Sequence, residues 1–163
     1  MNRKNTGNIA KAKKLLKDHY NGNPWIDSTI AGTLKQITAK QAAAKRGGFN
    51  SIWQIVNHMI LWRTALIGRV MDKPVAHPDN NYIAEIKDTS AAAWKDTIKQ
   101  FERSQKGIMK FLGSSEDKLL EKVSPSSGYS YFELVMSIVI HDSYHLGQIV
   151  LIKKMIEAGR EVP

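Results

Sequence analysis

Residues 131–158 decide the fold of this chain, and they read YFELVMSIVIHDSYHLGQIVLIKKMIEA. Apolar residues dominate the stretch without the strict alternation of a half-buried strand, and Gly159 follows it as a helix-ending residue. The stretch therefore predicts one long helix. Because side chains four residues apart lie on one face of a helix, His141 and His145 are expected to point the same way, on its buried face.

Further helices are predicted in the first half of the chain. One starts near Ile9 and is broken at residues 20–25, YNGNPW, before the helical pattern resumes through residues 30–37. A capping box at residues 38–41 predicts a short helix. The spacing of apolar residues between positions 50 and 71 then predicts a long one.

The second half of the chain begins with a predicted loop. Residues 73–88 contain two prolines and two consecutive asparagines, which makes them the longest irregular connection, and long loops often carry function. Thr89 or Ser90 starts a third long helix, which ends at Gly113. A short acidic turn and a loop at residues 124–128 lead to the last helix.

The predicted fold class is all-α. Four long helices joined by turns and one longer loop indicate a four-helix bundle with short extra helices, and such bundles build their sites from side chains on facing helices. No internal repeat and no linker rich in Pro, Gly or Ser divides the chain. Residues 1–163 are therefore expected to form a single domain.

The composition limits the chemistry and the location of the protein. The chain has no cysteine, which excludes disulfides, thiolate metal ligands and a cysteine nucleophile, so any thiol chemistry needs a thiol from outside. No apolar core of a signal peptide follows the basic first residues. No uncharged run approaches the roughly 20 residues of a membrane span. A cytoplasmic location without a membrane partner is expected.

The net charge of +9 raises the question of nucleic-acid binding, because clustered Lys and Arg release counterions from phosphate. Residues 11–17 hold one cluster of four lysines. The lysines of residues 35–45 and 95–122 are typical of solvated helix faces, interspersed with Asp and Glu. No reader motif and no basic stripe with interleaved aromatics is found. Nucleic acid is therefore not an expected partner.

A third histidine favours a metal site. Two imidazoles one helical turn apart can bind one divalent ion, although hydrogen-bonded histidine pairs in a core or on a surface share this spacing. His58 lies in SIWQIVNHMILWR, residues 51–63, again among apolar residues, where a hydrogen-bonded core histidine is the alternative. Burying three imidazoles without partners is costly, and a shared metal ion would satisfy all three.

Residues near the histidine pair are candidates for supporting roles. Gln148 lies on the same face and could donate a hydrogen bond to a metal-bound group, while Asp142 or Tyr144 could orient an imidazole. The alternatives are a polar core residue for Gln148, a surface charge for Asp142 and packing for Tyr144. Trp25 and Trp62 could line a pocket, but aromatics at helical spacing more often belong to a core.

Three other polar residues are left out of the predicted site. His19 and His77 are assigned to exposed positions in the first segment and the long loop. Arg63 is interpreted as a solvated or ion-paired arginine rather than as the binding group for an anionic substrate.

The motifs SIWQIVNHMILWR and HDSYHLGQIVLIKK, with the earlier YNGNPW, resemble the DinB/YfiT-like superfamily of small metal-binding four-helix bundles. The resemblance covers nearly the whole chain. It implies that His58, His141 and His145 are the ligands of one divalent metal ion. Imidazole suits several metals, and zinc or nickel is expected before iron or manganese.

Three neutral imidazoles leave an ion at least one open coordination position, whereas structural zinc sites normally close with four ligands. A reactive site is therefore expected, since such an ion lowers the pKa of bound water or thiol. Similarity to superfamily members that use bacillithiol, mycothiol or glutathione implies a thiol-dependent S-transferase acting on a small molecule. A metal-dependent hydrolase and a non-enzymatic metal-binding or partner-binding module are the alternatives. The resemblance also allows a homodimer.

Overall fold

A computed structural model describes residues 7–76 and 78–159 of the chain. Within these ranges the backbone forms seven helices and no strand, with one isolated antiparallel bridge between Val123 and Ser130. The predicted all-α class is confirmed. The helices are α1 (Asn8–Asn21), α2 (Ile30–Lys35), α3 (Ala39–Ala43), α4 (Ile52–Val70), α5 (Ala91–Gly113), α6 (Asp117–Leu120) and α7 (Tyr131–Glu157).

Local capping signals fix the starts of the helices that carry the histidines. Ser51 forms a capping box with Gln54 at the start of α4. Ser130 forms one with Glu133 at the start of α7. The predicted limits of the long helices agree with the structure to within a few residues. The acidic turn predicted after Gly113 contains one additional helical turn, α6.

The four long helices pack around a common interior. Helix α4 packs against both α5 and α7, and α1 packs against the same two helices. This is the arrangement expected of a four-helix bundle. The short helices lie at its margins, α2 against α1, α3 against α4 and α5, and α6 against α1 and α7.

Two hydrophobic clusters fill the interior and are separated by a polar layer. One cluster contains Met59 of α4, Phe101 of α5 and Leu146 of α7. The other contains Leu66 of α4, Ile108 of α5 and Val135 of α7. Between these positions, each helix carries one buried polar residue: Arg63, Gln105 and Asp142. We call these three residues the polar layer. Its position next to His141 links the core of the bundle to the histidines.

Helix α7 would be long and apolar enough to cross a membrane if length and composition were the only criteria. The core helix of a soluble protein meets the same criteria, so this property does not distinguish the two cases.

Candidate metal centre

The three predicted histidine ligands converge at one point between α4 and α7. The Nε2 atoms of His58 and His141 are 2.9 Å apart. One ring nitrogen from each of His58, His141 and His145 lies within 4.8 Å of the other two. His58 is only 3% exposed, and the two histidines of α7 are half-buried. Three histidines gathered this closely could hold one divalent ion, with small side-chain adjustments that bring each nitrogen to the metal–nitrogen distance of about 2.0–2.1 Å.

Hydrogen bonds on the opposite ring nitrogens fix the tautomers of two of these histidines. The Nδ1–H of His58 donates to the backbone carbonyl of Asn81 at 2.7 Å. The Nδ1–H of His145 donates to Oε1 of Gln148, also at 2.7 Å. A carbonyl oxygen only accepts, so each imidazole keeps its proton on Nδ1 and directs the lone pair of Nε2 toward the centre.

His141 is positioned against Asp142. Its Nδ1 lies 3.6 Å from Oδ1 of Asp142, and among the described residues neither of these buried atoms has a hydrogen-bond partner. The other carboxylate oxygen, Oδ2, accepts from Nε of Arg63 at 2.8 Å and lies 2.7 Å from Nη2. The Arg63 pair therefore holds the carboxylate while Oδ1 faces the imidazole.

The donor set fits a bound divalent ion. His58 carries its proton on Nδ1, so its Nε2 presents only a lone pair to Nε2 of His141, 2.9 Å away. This short contact requires either a proton donated by His141 or an ion that both nitrogens bind. In the second case His141 carries its proton on Nδ1, opposite Oδ1 of Asp142. An ion thus accounts for the contact between the two rings and places the Nδ1–H of His141 on the side of Oδ1 of Asp142, 3.6 Å away.

Burial favours the neutral, metal-binding form of His58 and His145. It lowers the pKa of His58, and the neighbouring His141 lowers this pKa further, although the bond to Asn81 raises it. Burial also lowers the pKa of His145, against the opposing effect of the bond to Gln148. Because a protonated imidazole cannot bind a metal, the lowered pKa values keep the nitrogens available at neutral pH.

The histidines border a cavity of about 610 Å³. Its interior is formed by buried residues of α4 and α7, among them Ile55 and Ile152. Its rim contains the exposed side chains of Phe49, Tyr144 and Leu151. A cavity of this size accommodates a small organic molecule beside the three nitrogens.

The predicted long loop contributes to the site through Asn81, which the sequence analysis did not select. Asn81 supplies the carbonyl that fixes His58, and its Oδ1 accepts from Nε1 of Trp62 at 3.2 Å. Asn81 and Tyr82 both adopt positive φ angles, of 49° and 60°. Asn is among the residues that most readily adopt this conformation. The two consecutive asparagines in a long loop were the available signal.

The supporting residues occupy three different environments. Gln148 accepts from His145 through Oε1, so its amide NH₂ group is the part left to donate toward a ligand. Asp142 is fully buried and faces His141, and it is not a surface charge. The exposed ring of Tyr144 meets the ring of His145 edge to face, with centroids 5.0 Å apart. Trp62 lines the cavity, whereas Trp25 is fully exposed and does not.

The prediction that His19 is exposed is wrong. His19 is 6% exposed and donates from Nε2 to the hydroxyl of Ser143, which itself donates to the carbonyl of Val139. It lies on the face of α1 that packs against α7, which the local sequence did not reveal. The other excluded histidine, His77, lies outside the described residues.

Replacing Gln148 with leucine is expected to weaken zinc affinity roughly tenfold, because removing a group that orients a ligand typically costs 10- to 100-fold. Competition with a chromophoric chelator measures this change. The matched control is Gln100→Leu on the exposed surface of α5. In the described part of the chain, the side-chain amide of Gln100 bonds only to Asp96. Equal affinities of the two variants would contradict the orienting role of Gln148.

A family model described as the DinB family matches residues 1–163, the whole chain. No curated protein and no solved structure matches the chain significantly.

Proposed function

Since this chain belongs to the DinB family, we propose that it is a metal-dependent enzyme that transfers a low-molecular-weight thiol to an electrophilic small molecule. The observation that carries the proposal is the convergence of His58, His141 and His145 at a cavity large enough for a substrate. A non-enzymatic metal site would favour a closed, saturated coordination shell without such a cavity.

The proposed reaction forms a sulfur–carbon bond. The thiol loses its proton, its sulfur attacks the electrophilic carbon, and the bond from that carbon to the leaving group breaks. The leaving group takes the electron pair and finally the proton. A divalent ion at the three imidazoles supplies Lewis acidity, which stabilises the thiolate at neutral pH. The absence of cysteine agrees with a thiol that comes from outside the chain.

The chain's own residues orient the imidazoles and the substrate. Asn81 and Gln148 accept hydrogen bonds from Nδ1 of His58 and His145 and keep their Nε2 atoms directed toward the centre, while Asp142 faces Nδ1 of His141 at 3.6 Å. The NH₂ group of Gln148 is available to donate a hydrogen bond to the departing group. Tyr144 is an exposed residue of the cavity lining, where its ring can contact a bound substrate.

The proposal is tested with tag-free protein loaded separately with zinc or nickel. Bacillithiol, mycothiol and glutathione are each combined with 1-chloro-2,4-dinitrobenzene, and thioether formation is followed by absorbance. We expect at least one thiol to react about a hundredfold faster than the uncatalysed reaction, which is a modest acceleration for an enzyme. A chelator and the variant His145→Ala should each abolish this acceleration.

The same protein is assayed against ester and amide substrates without a thiol. Turnover in that assay, together with no thiol-dependent reaction, would replace the transferase proposal with a metal-dependent hydrolase. The absence of any thiol-dependent acceleration with either metal would overturn the transferase proposal.

A further inference from the structure

The described lining of the cavity beside the histidines contains no formally charged side chain. None of the 14 lining residues in the described part of the chain is Lys, Arg, Asp or Glu. Aliphatic and aromatic groups form most of its surface, from the buried Ile55 and Ile152 to the exposed Phe49, Tyr144 and Leu151. This lining contrasts with the net charge of +9 of the chain.

The polar groups of the lining are largely engaged in holding the site together. The carbonyl and the side-chain oxygen of Asn81 bind His58 and Trp62. The oxygen of Gln148 binds His145. The nearby carboxylate of Asp142 is fully buried, paired with Arg63, and is not part of the lining. In the metal-free protein, a charged group inside the cavity would therefore find no countercharge among the described lining residues, and such burial is costly.

The exposed rim residues point to the same class of ligand. Phe49, Tyr144 and Leu151 are all more than half exposed, at 57%, 64% and 56%. They surround the opening of one cavity, where an apolar ligand would cover part of their surface. Clustered exposed apolar groups around a concave site are typical of ligand-binding surfaces.

We propose that the cavity holds the body of the electrophilic substrate and that this body is uncharged and mainly aromatic or aliphatic. The inference rests on the proposed function for the reaction that follows binding. The cavity's preference itself depends only on its lining. Charged groups of the thiol remain in solvent beyond the rim, while its sulfur reaches the three histidines.

The test uses metal-free full-length protein, so that no bound cation attracts an anion, and the neutral fluorescent probe N-phenyl-1-naphthylamine. Displacement of the probe is measured with two rigid competitors, 2,6-naphthalenedimethanol and 2,6-naphthalenedisulfonate. The disulfonate carries one sulfonate at each end, so either orientation brings a negative charge into the cavity. We expect the neutral diol to displace the probe at a concentration at least about tenfold lower, because an unpaired buried charge is strongly disfavoured.

Two substitutions connect the preference to this cavity. Leu151→Arg places a cation at the rim and should weaken binding of the probe and reduce the preference for the diol. Leu61→Arg adds the same charge at another exposed position of the bundle, outside the lining, and should change neither. Circular dichroism of both variants checks that they fold like the parent.

The outcomes separate this inference from the transferase proposal. Failure of the probe to bind, or displacement by the disulfonate at an equal or lower concentration, would overturn the inference whatever the enzymatic activity. The same holds if Leu61→Arg alters probe binding as much as Leu151→Arg. A confirmed neutral preference without thiol turnover would leave the ligand class standing and remove the transferase reaction.

Discussion

Replacing His58 with alanine is expected to remove the bound metal ion. Helix α4 contributes only this member of the three-histidine group, so the variant leaves His141 and His145 as a two-ligand pair on α7. Loss of a group that merely orients a ligand costs 10- to 100-fold in affinity, and loss of the ligand itself should cost at least about a hundredfold. The metal content of tag-free protein after dialysis, measured by elemental analysis, should fall from about one equivalent to a small fraction of one.

The variant His19→Ala is the matched control. His19 is also buried, but its nitrogen bonds to Ser143 and it does not belong to the three-histidine group. Its replacement should reduce stability and leave the metal content unchanged. One full equivalent of metal in His58→Ala, or an equal loss in both variants, would contradict a site built on these three residues.

Much of the fold was predictable because its signals are local. Capping residues such as Ser51 and Ser130 lie within one turn of the helices they start. The spacing of His141 and His145 follows from the helix period alone. The association of these two residues with His58 rested on the shared apolar environment and on the family resemblance, and the structure brings all three together.

The remaining features depend on contacts between distant segments. Asn81 and Ala84 lie far along the chain from the α4 residues they contact: the carbonyl of Asn81 bonds to His58, and that of Ala84 accepts a hydrogen bond from Gln54. His19 is buried because α1 packs against α7. Four of the 14 residues of α1 are lysines, and the residues next to His19 do not indicate which helix this side chain meets. These features therefore required the three-dimensional structure.

The polar layer connects stability with the candidate metal centre. Arg63 binds Asp142 with Nε, binds Oε1 of Gln105 with Nη1 at 2.8 Å, and stands over the ring of Phe101. Gln105 in turn donates to the carbonyl of Leu16 on α1 at 3.2 Å. The layer thus links all four long helices and holds the carboxylate that faces His141. One set of contacts supports both the packing of the bundle and the orientation of a proposed ligand.

Replacing Arg63 with methionine is expected to lower the free energy of unfolding by about 3–5 kcal/mol, the range for removing one partner of a buried ion pair. Both side chains of the pair are buried, with 1% and 0% exposure, so the carboxylate of Asp142 would remain in the interior without its countercharge. Urea unfolding of the metal-free protein measures the change. Arg103→Met is the control, because the exposed pair of Arg103 with Asp96 should contribute only about 0–1 kcal/mol.

The double variant Arg63→Met, Asp142→Leu separates the two roles of the layer. Replacing both charges with apolar groups removes the unpaired carboxylate, so it should recover most of the stability lost in Arg63→Met. Its metal affinity should be lower than that of the parent, because His141 would lack the acceptor that faces its Nδ1. If Arg63→Met costs no more stability than Arg103→Met, the buried pair does not stabilise the bundle. If the double variant binds zinc as tightly as the parent, Asp142 does not orient His141.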